Sequence, residues 1–306
     1  MRLTVLFSYI FIVFIACLLS LQSIIFFLAP YVRNYNVYTA VSIDKENRLA
    51  TANQPRLIFV GGSSMALGLN SQFMEKVTGK QVVNMGIHAG LGLPFILNES
   101  LAGLKSGDIV VLCLEYTLDK GDKKLQAQLV DVNPRAKEYL SFSLIDYIQF
   151  YTQNVQRCLS GAFYKVINAD RLDPIYNRSA LNIQGDVISH YSLPKRKTLA
   201  DLVKWKDLGD AEYIKQVNGF INNAKRKGAT VYFSYPALCS SAFILNYQNM
   251  QLLEKKYLQE INCPIIGRPQ SFVFNDKDFY DTVYHLGKYG VDKRTKIMIK
   301  LLDGYL

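Results

Sequence analysis

The chain has 306 residues, half of them hydrophobic and 12% aromatic, with a net charge of +10. That much core-forming material excludes disordered and low-complexity classes, and five cysteines are too few for a disulfide-built scaffold. The basic balance suits a negatively charged partner such as an anionic membrane, glycan or nucleic acid. The lack of an arginine-rich arm, a zinc pattern or an RNA-reading aromatic motif sets nucleic acid aside.

From Leu3 to Val32 there is no charged residue. About 20 apolar residues suffice to cross a hydrocarbon core, whereas the apolar region of a cleaved signal peptide runs only ~7–15 and ends in a small-x-small site that is missing here. Residues 1–33 are therefore expected to form an uncleaved transmembrane signal anchor in the cytoplasmic membrane. Arg2 and Arg33 almost balance across it, so the short stub ahead of a large domain sets the expected orientation, with the domain outside. Residues 34–55 are polar and read as a juxtamembrane linker, and residues 56–306 as one domain.

RLIFVGG, beginning at Arg56, is a short apolar run stopped by two glycines, the first strand signal. Asn70 or Ser71 caps a predicted helix through Thr78, with Gly79 as its stop. QVVNMG is the second strand, and a helix from Pro94 to Leu104 carries proline in its first turn, where no N–H is needed. DIVVLCLEY is the third strand. Unbroken apolar strands alternating with helices predict a parallel sheet covered on both faces. Residues 125–199 interrupt that rhythm with aromatic-rich helical segments and polar loops, and read as an insertion. Beyond it come an amphipathic helix ending at Gly228, the strand TVYFSYPAL, another helix, the short strands CPIIG and SFVF, and a closing helix KYGVDKRTKIMIKLL. A Cys239–Cys263 bridge is permitted in an oxidising compartment but not required.

Three segments can carry chemistry. Gly61-Gly62-Ser63-Ser64 follows the first strand, at the sheet edge where open α/β folds place ligands; it lacks the Lys-Ser/Thr of a phosphate loop. Asn84-Met85-Gly86-Ile87-His88-Ala89-Gly90-Leu91-Gly92 follows the second strand, and its glycine spacing does not match the dinucleotide fingerprint. Near the C-terminus stands Phe279-Tyr280-Asp281-Thr282-Val283-Tyr284-His285-Leu286-Gly287. An acid four residues before a histidine is expected to meet it across one helical turn and to hold the imidazole as the acid of a serine triad does.

Taken in this order, the three segments resemble the SGNH/GDSL hydrolase superfamily. That family places its nucleophile in a Gly-Asp-Ser-like block after the first strand, an oxyanion glycine after the second, and an acid and histidine near the C-terminus. The resemblance puts Ser63 on the nucleophile, His285 on the base and Asp281 on the acid. It puts Gly86 on the oxyanion glycine, beside the Ser63 N–H; for the family's asparagine, either Asn84 substitutes as a donor or the oxyanion hole runs on backbone N–H groups alone. FYDTVYHLGKYGVDKRT is similar to the final block of membrane-anchored bacterial members, those like the D-alanyl-lipoteichoic acid transfer protein and the SGNH partners of membrane-bound O-acyltransferases. Gly62 stands where the family has an acid, three residues instead of two separate Asp281 from His285, and Glu115 stands where the family has an asparagine.

The resemblance implies a flavodoxin-like three-layer α/β/α fold with a mostly parallel sheet, and a serine esterase or O-acyltransferase acting on acyl esters of an envelope or extracellular polysaccharide. It implies no cofactor and no metal. The partners it implies are the lipid bilayer, a membrane-bound O-acyltransferase and an anionic glycan. The alternative is a catalytically weak SGNH-like module that binds glycan or such an acyltransferase. Glu115 is expected near the site mouth, either opposing an oxyanion or, as the commoner fate of such a carboxylate, bonded to backbone or a cation.

Overall fold

A computed structural model describes residues 2–168, 173–206 and 208–306. Met1 and the start of the polar loop expected near Asp170 lie outside the described residues.

Helix α1 (Arg2–Val32) is long and apolar enough to cross a membrane, and none of its Leu3–Val32 stretch is buried against the domain over its most apolar window. Three of its serines are satisfied within the helix: Ser8, Ser20 and Ser23 donate to the carbonyls of Thr4, Ala16 and Leu19 at 3.0, 2.8 and 2.8 Å. Residues 34–55, expected as a linker, are instead built into the domain. A 3-10 turn, Tyr38–Ala40, leads into helix α2 (Val41–Thr51), and Tyr38, Val41 and Leu49 join the main core. Sequence polarity misled here because α2 is amphipathic over only three turns.

Strands β1 (Arg56–Val60), β2 (Gln81–Asn84), β3 (Ile109–Cys113) and β4 (Thr230–Ser234) form one parallel sheet in the order β2-β1-β3-β4. All five residues of β1 are buried, so the centre of the sheet is covered on both faces. The connecting elements are α3 (Ser63–Ala66), α4 (Ser71–Thr78), α5 (Leu93–Ala102), α6 (Lys123–Val132), α7 (Leu144–Val166) and α8 (Ala211–Arg226). After β4 come α9 (Ser240–Leu245), α10 (Tyr247–Glu260) and α11 (Lys288–Leu302). Asn70 caps α4 by accepting from the Phe73 N–H at 3.0 Å, and Gly79 closes it with φ +68°.

CPIIG does not form a strand. Pro264 has no N–H for a ladder, and the segment makes only one bridge to β4, with the Phe233 N–H on the Pro264 carbonyl and the Ile266 N–H on the Phe233 carbonyl. In SFVF, Val273–Phe274 alone is strand (β6), paired with β5 (Leu238–Cys239) in a separate parallel ladder. Cys239 and Cys263 are both free thiols. The order reverses at β1, so the C-terminal ends of β1 and β3 flank the crevice where such sheets bind ligands.

Candidate active site

The turn after β1 is held by groups from elsewhere in the chain. Glu115, just past β3, is buried under it, and its two carboxylate oxygens accept the N–H groups of Gly62 (2.8 Å) and Ser64 (2.6 Å). A Cβ at residue 62 would collide with that carboxylate, so glycine at 62 and the acid at 115 are one arrangement. Burial pushes the Glu115 carboxyl above the ordinary range, and the two N–H donors pull it back only in part. Glu115 thus lies behind the turn and away from the expected site mouth, in the backbone-bonded state. From the opposite side Arg294 of α11, also fully buried, donates from Nη1 to the Ser64 carbonyl at 2.8 Å. Its neighbour Thr295 accepts the Asn70 N–H at 2.9 Å.

The C-terminal block supplies the rest. Residues 279–286 form a tight turn, closed by an antiparallel Phe279–Leu286 bridge and a Tyr280 N–H bond to the His285 carbonyl at 2.8 Å. The expected helical turn between Asp281 and His285 is therefore absent; α11 starts only at Lys288. Thr282 Oγ1 accepts the N–H groups of Tyr284 and His285, each at 3.2 Å, and so tightens the loop. This brings His285 Nδ1 to 2.8 Å from Asp281 Oδ1 and His285 Nε2 to 2.8 Å from Ser63 Oγ. Nδ1–H facing the acid assigns the tautomer that leaves Nε2 as an acceptor for the serine proton.

Tyr176, in the insertion, completes the relay. Its hydroxyl donates to Asp281 Oδ2 at 2.6 Å and lies 3.0 Å from His285 Nδ1. Burial alone raises the Asp281 carboxyl, but the hydrogen bonds from His285 and Tyr176 and the nearby imidazole outweigh it and hold the carboxyl below its usual range. The same burial and the bond to Asp281 push the Tyr176 phenol far up. Sequence reasoning passed over Tyr176 because nothing local marks it: its partners lie 105 and 109 residues away.

The other two expected oxyanion donors are occupied. The Gly86 N–H donates to Asn84 Oδ1 at 2.9 Å, and Asn84 Nδ2 donates to the Met65 carbonyl (3.0 Å) and Asp186 Oδ1 (2.8 Å). Asn84 is completely buried and belongs to a polar knot with Asp186, Ser71 and Lys45, whose Nζ donates to the Asn84 carbonyl at 2.8 Å. Residue 86 is glycine because a Cβ would run into the Ala66 N–H at the back of α3. The remaining expected donor, the Ser63 N–H at the first position of α3, has no acceptor among the described residues.

Ser63 and His285 open into a cavity of about 630 Å³, whose wall includes Tyr38, His88, Leu125, Gln128 and Tyr176. His88 Nδ1 accepts the Gly90 N–H at 2.9 Å, and burial lowers its pKa, so it faces the cavity as a neutral ring. The third histidine, His190, is buried with Nε2 at 2.9 Å from the Leu286 carbonyl, where it braces the 279–286 loop. Among the described residues no cluster of three or more His, Cys, Asp or Glu is placed to hold a metal ion. No family model matches the chain, and no curated protein matches it.

Proposed function

We propose that the protein is a membrane-anchored serine esterase or O-acyltransferase of the SGNH/GDSL type, with a three-layer α/β/α domain outside the cytoplasmic membrane. The observation that carries this reading is the unbroken relay Ser63–His285–Asp281, with 2.8 Å at both links, opening into a cavity large enough for an acylated sugar. The substrate class, acyl esters of an anionic envelope or extracellular polysaccharide, rests on the family resemblance and on the basic charge, nearly all of which lies beyond residue 33.

In this mechanism Ser63 Oγ attacks the ester carbonyl while its proton passes to His285 Nε2. Asp281 keeps the imidazole in the Nδ1–H tautomer and balances the imidazolium that forms. The alcohol leaves with the proton from Nε2, and the acyl-serine is then released to water or to a sugar hydroxyl activated by the same nitrogen. The Ser63 N–H supports the developing oxyanion.

The purified chain tests the reading directly. A fluorophosphonate probe is expected to label Ser63, and His285→Ala is expected to slow labelling strongly; unchanged labelling in Ser63→Ala rejects the enzyme as drawn. Orientation has its own test, alkaline phosphatase fused after Leu306. Phosphatase activity is expected, and its absence with stable expression puts the domain in the cytoplasm.

One observation favours a second reading. With the Gly86 N–H and the Asn84 amide both spent inside the protein, the oxyanion has fewer donors than the family pattern supplies, and one lost donor costs roughly 10²–10³ in turnover. On this reading the domain is a weak or inactive SGNH-like module that binds glycan or a membrane-bound acyltransferase. Stoichiometric labelling of Ser63 with no turnover of simple esters selects it.

A further inference from the structure

Helix α7 has the polarity of a water-soluble helix turned inside out. Ile145, Ile148, Leu159, Phe163 and Val166 form one stripe, each between 49% and 76% exposed, at the spacing that aligns side chains along a helix. The residues between them on that stripe, Thr152 and Gln156, are uncharged. All three charged residues of α7 point the other way, into protein contacts. Asp146 meets Lys123 at 3.4 Å, Arg157 meets Asp131 at 2.9 Å, and Lys165 donates to the Tyr31 carbonyl and sits over the Tyr31 ring. A helix bathed in water would show the reverse arrangement.

The position of α7 says what covers the stripe. Cys158 and Ala162 pack against Ile24, Ile25, Leu28, Ala29 and Val32 of α1. Gly161 lets the two helices close up, since a Cβ there would press on Val32. About 20 residues of α1 fill a hydrocarbon core, so the last third of its 30-residue apolar stretch, where α7 packs, stands at the lipid–water boundary. Exposed Tyr31, Tyr35, Tyr147 and Tyr164 cluster on these same segments, the residue type that concentrates at that boundary. Arg33, at the end of α1, shares Asp131 with Arg157 of α7, so anchor and helix are locked as one piece. The exposed stripe of α7 therefore continues the lipid-facing surface of α1.

We infer that α7 is a second membrane contact: it lies along the bilayer surface with its apolar stripe sunk among the acyl chains beside α1. Asn34, Val37 and Thr39, the residues that follow α1, line the catalytic cavity, so this contact fixes the cavity against the membrane surface. The inference rests on α1 spanning the membrane and is independent of the chemistry at Ser63.

The full chain is placed in nanodiscs of phosphatidylcholine and phosphatidylglycerol doped with a phospholipid carrying a diazirine in its acyl chain. Photolysis products are mapped by mass spectrometry. Labels are expected on α1 and on the Ile145–Val166 stripe, and Ile148→Glu with Phe163→Glu, both at exposed positions, is expected to cut α7 labelling roughly tenfold while α1 labelling persists. Circular dichroism confirms that the variant stays folded. Labels on α1 with none on α7 overturn the inference and assign the stripe to a protein partner. Labels on neither helix overturn both the contact and the span. Because no readout uses catalysis, failure here leaves the esterase proposal standing, and an inactive Ser63 leaves this one standing.

Discussion

The turn after β1 and the turn after β2 are both glycine-containing ends of neighbouring parallel strands, yet they end up with opposite chemical character. At the first, the backbone is held by two buried charges from far along the chain: Glu115 takes the N–H groups of Gly62 and Ser64, and Arg294 gives to the Ser64 carbonyl. The Ser63 side chain and its N–H are thereby left over for other partners. At the second, the turn satisfies itself, with Asn84 capping the Gly86 N–H and spending its amide on Met65 and Asp186. A loop keeps a side chain available when other groups meet its backbone's hydrogen-bonding needs. The cost is two buried ionisable groups, tolerable because each is bonded to the turn it holds.

Ser63→Ala gives the largest expected effect on this comparison, a loss of probe labelling of roughly 10³-fold or more; intact protein mass spectrometry measures it. Next, Asn84→Ala should cost on the order of 3 kcal/mol in urea denaturation by orphaning buried partners, while the labelling rate per folded molecule stays within a few-fold. A selective collapse of that rate with stability intact would reopen Asn84 as an oxyanion donor. Glu115→Gln turns one acceptor into a donor facing a backbone N–H, with an expected loss of about 1–3 kcal/mol and slower labelling. Faster labelling would mean that the carboxylate's charge opposes the oxyanion.

Tyr176→Phe is the mildest change. It removes one hydrogen bond to Asp281 and is expected to slow labelling roughly tenfold, with probe affinity unchanged. The pH dependence follows with a definite sign. Asp281 is held below the ordinary carboxylate range, so its contribution to stability is present above that range and is lost as pH falls through its lower folded-state value. In Tyr176→Phe the folded-state value rises toward the ordinary one, so the contribution shrinks and acid unfolding should begin at higher pH. Acid titrations of both proteins by circular dichroism check this.

What was legible in the sequence is what short spacing encodes. β1 to β4, the Asn70-capped α4 and the closing helix announce themselves through apolar runs, caps and glycine stops, all within a dozen residues. Ser63, Asp281 and His285 were readable as candidates because the chain has only three histidines and the order of the three residues matches a family pattern. The partners that shape them were not, since Glu115, Tyr176 and Arg294 act across separations of 51 to 230 residues. Proximity along the chain also misled in two places: the Asp281–His285 spacing suggested a helix where a bridged turn stands, and the polar stretch before β1 concealed α2.

The reach from Arg294 back to Ser64, 230 residues, also has a bearing on biogenesis. The guanidinium that shapes the serine turn comes from α11, and His285 precedes it by only nine positions. Contacts of such separation close late in folding, after the loops between them have collapsed. A chain in which that contact has not yet closed therefore carries an unformed serine turn and an unplaced His285. In the folded protein the dependence runs the other way: local opening of α11 would release the Ser64 carbonyl and the serine turn with it. A chain cut before α11 should thus lose the serine turn together with the core contacts of Val291, Met298 and Leu302.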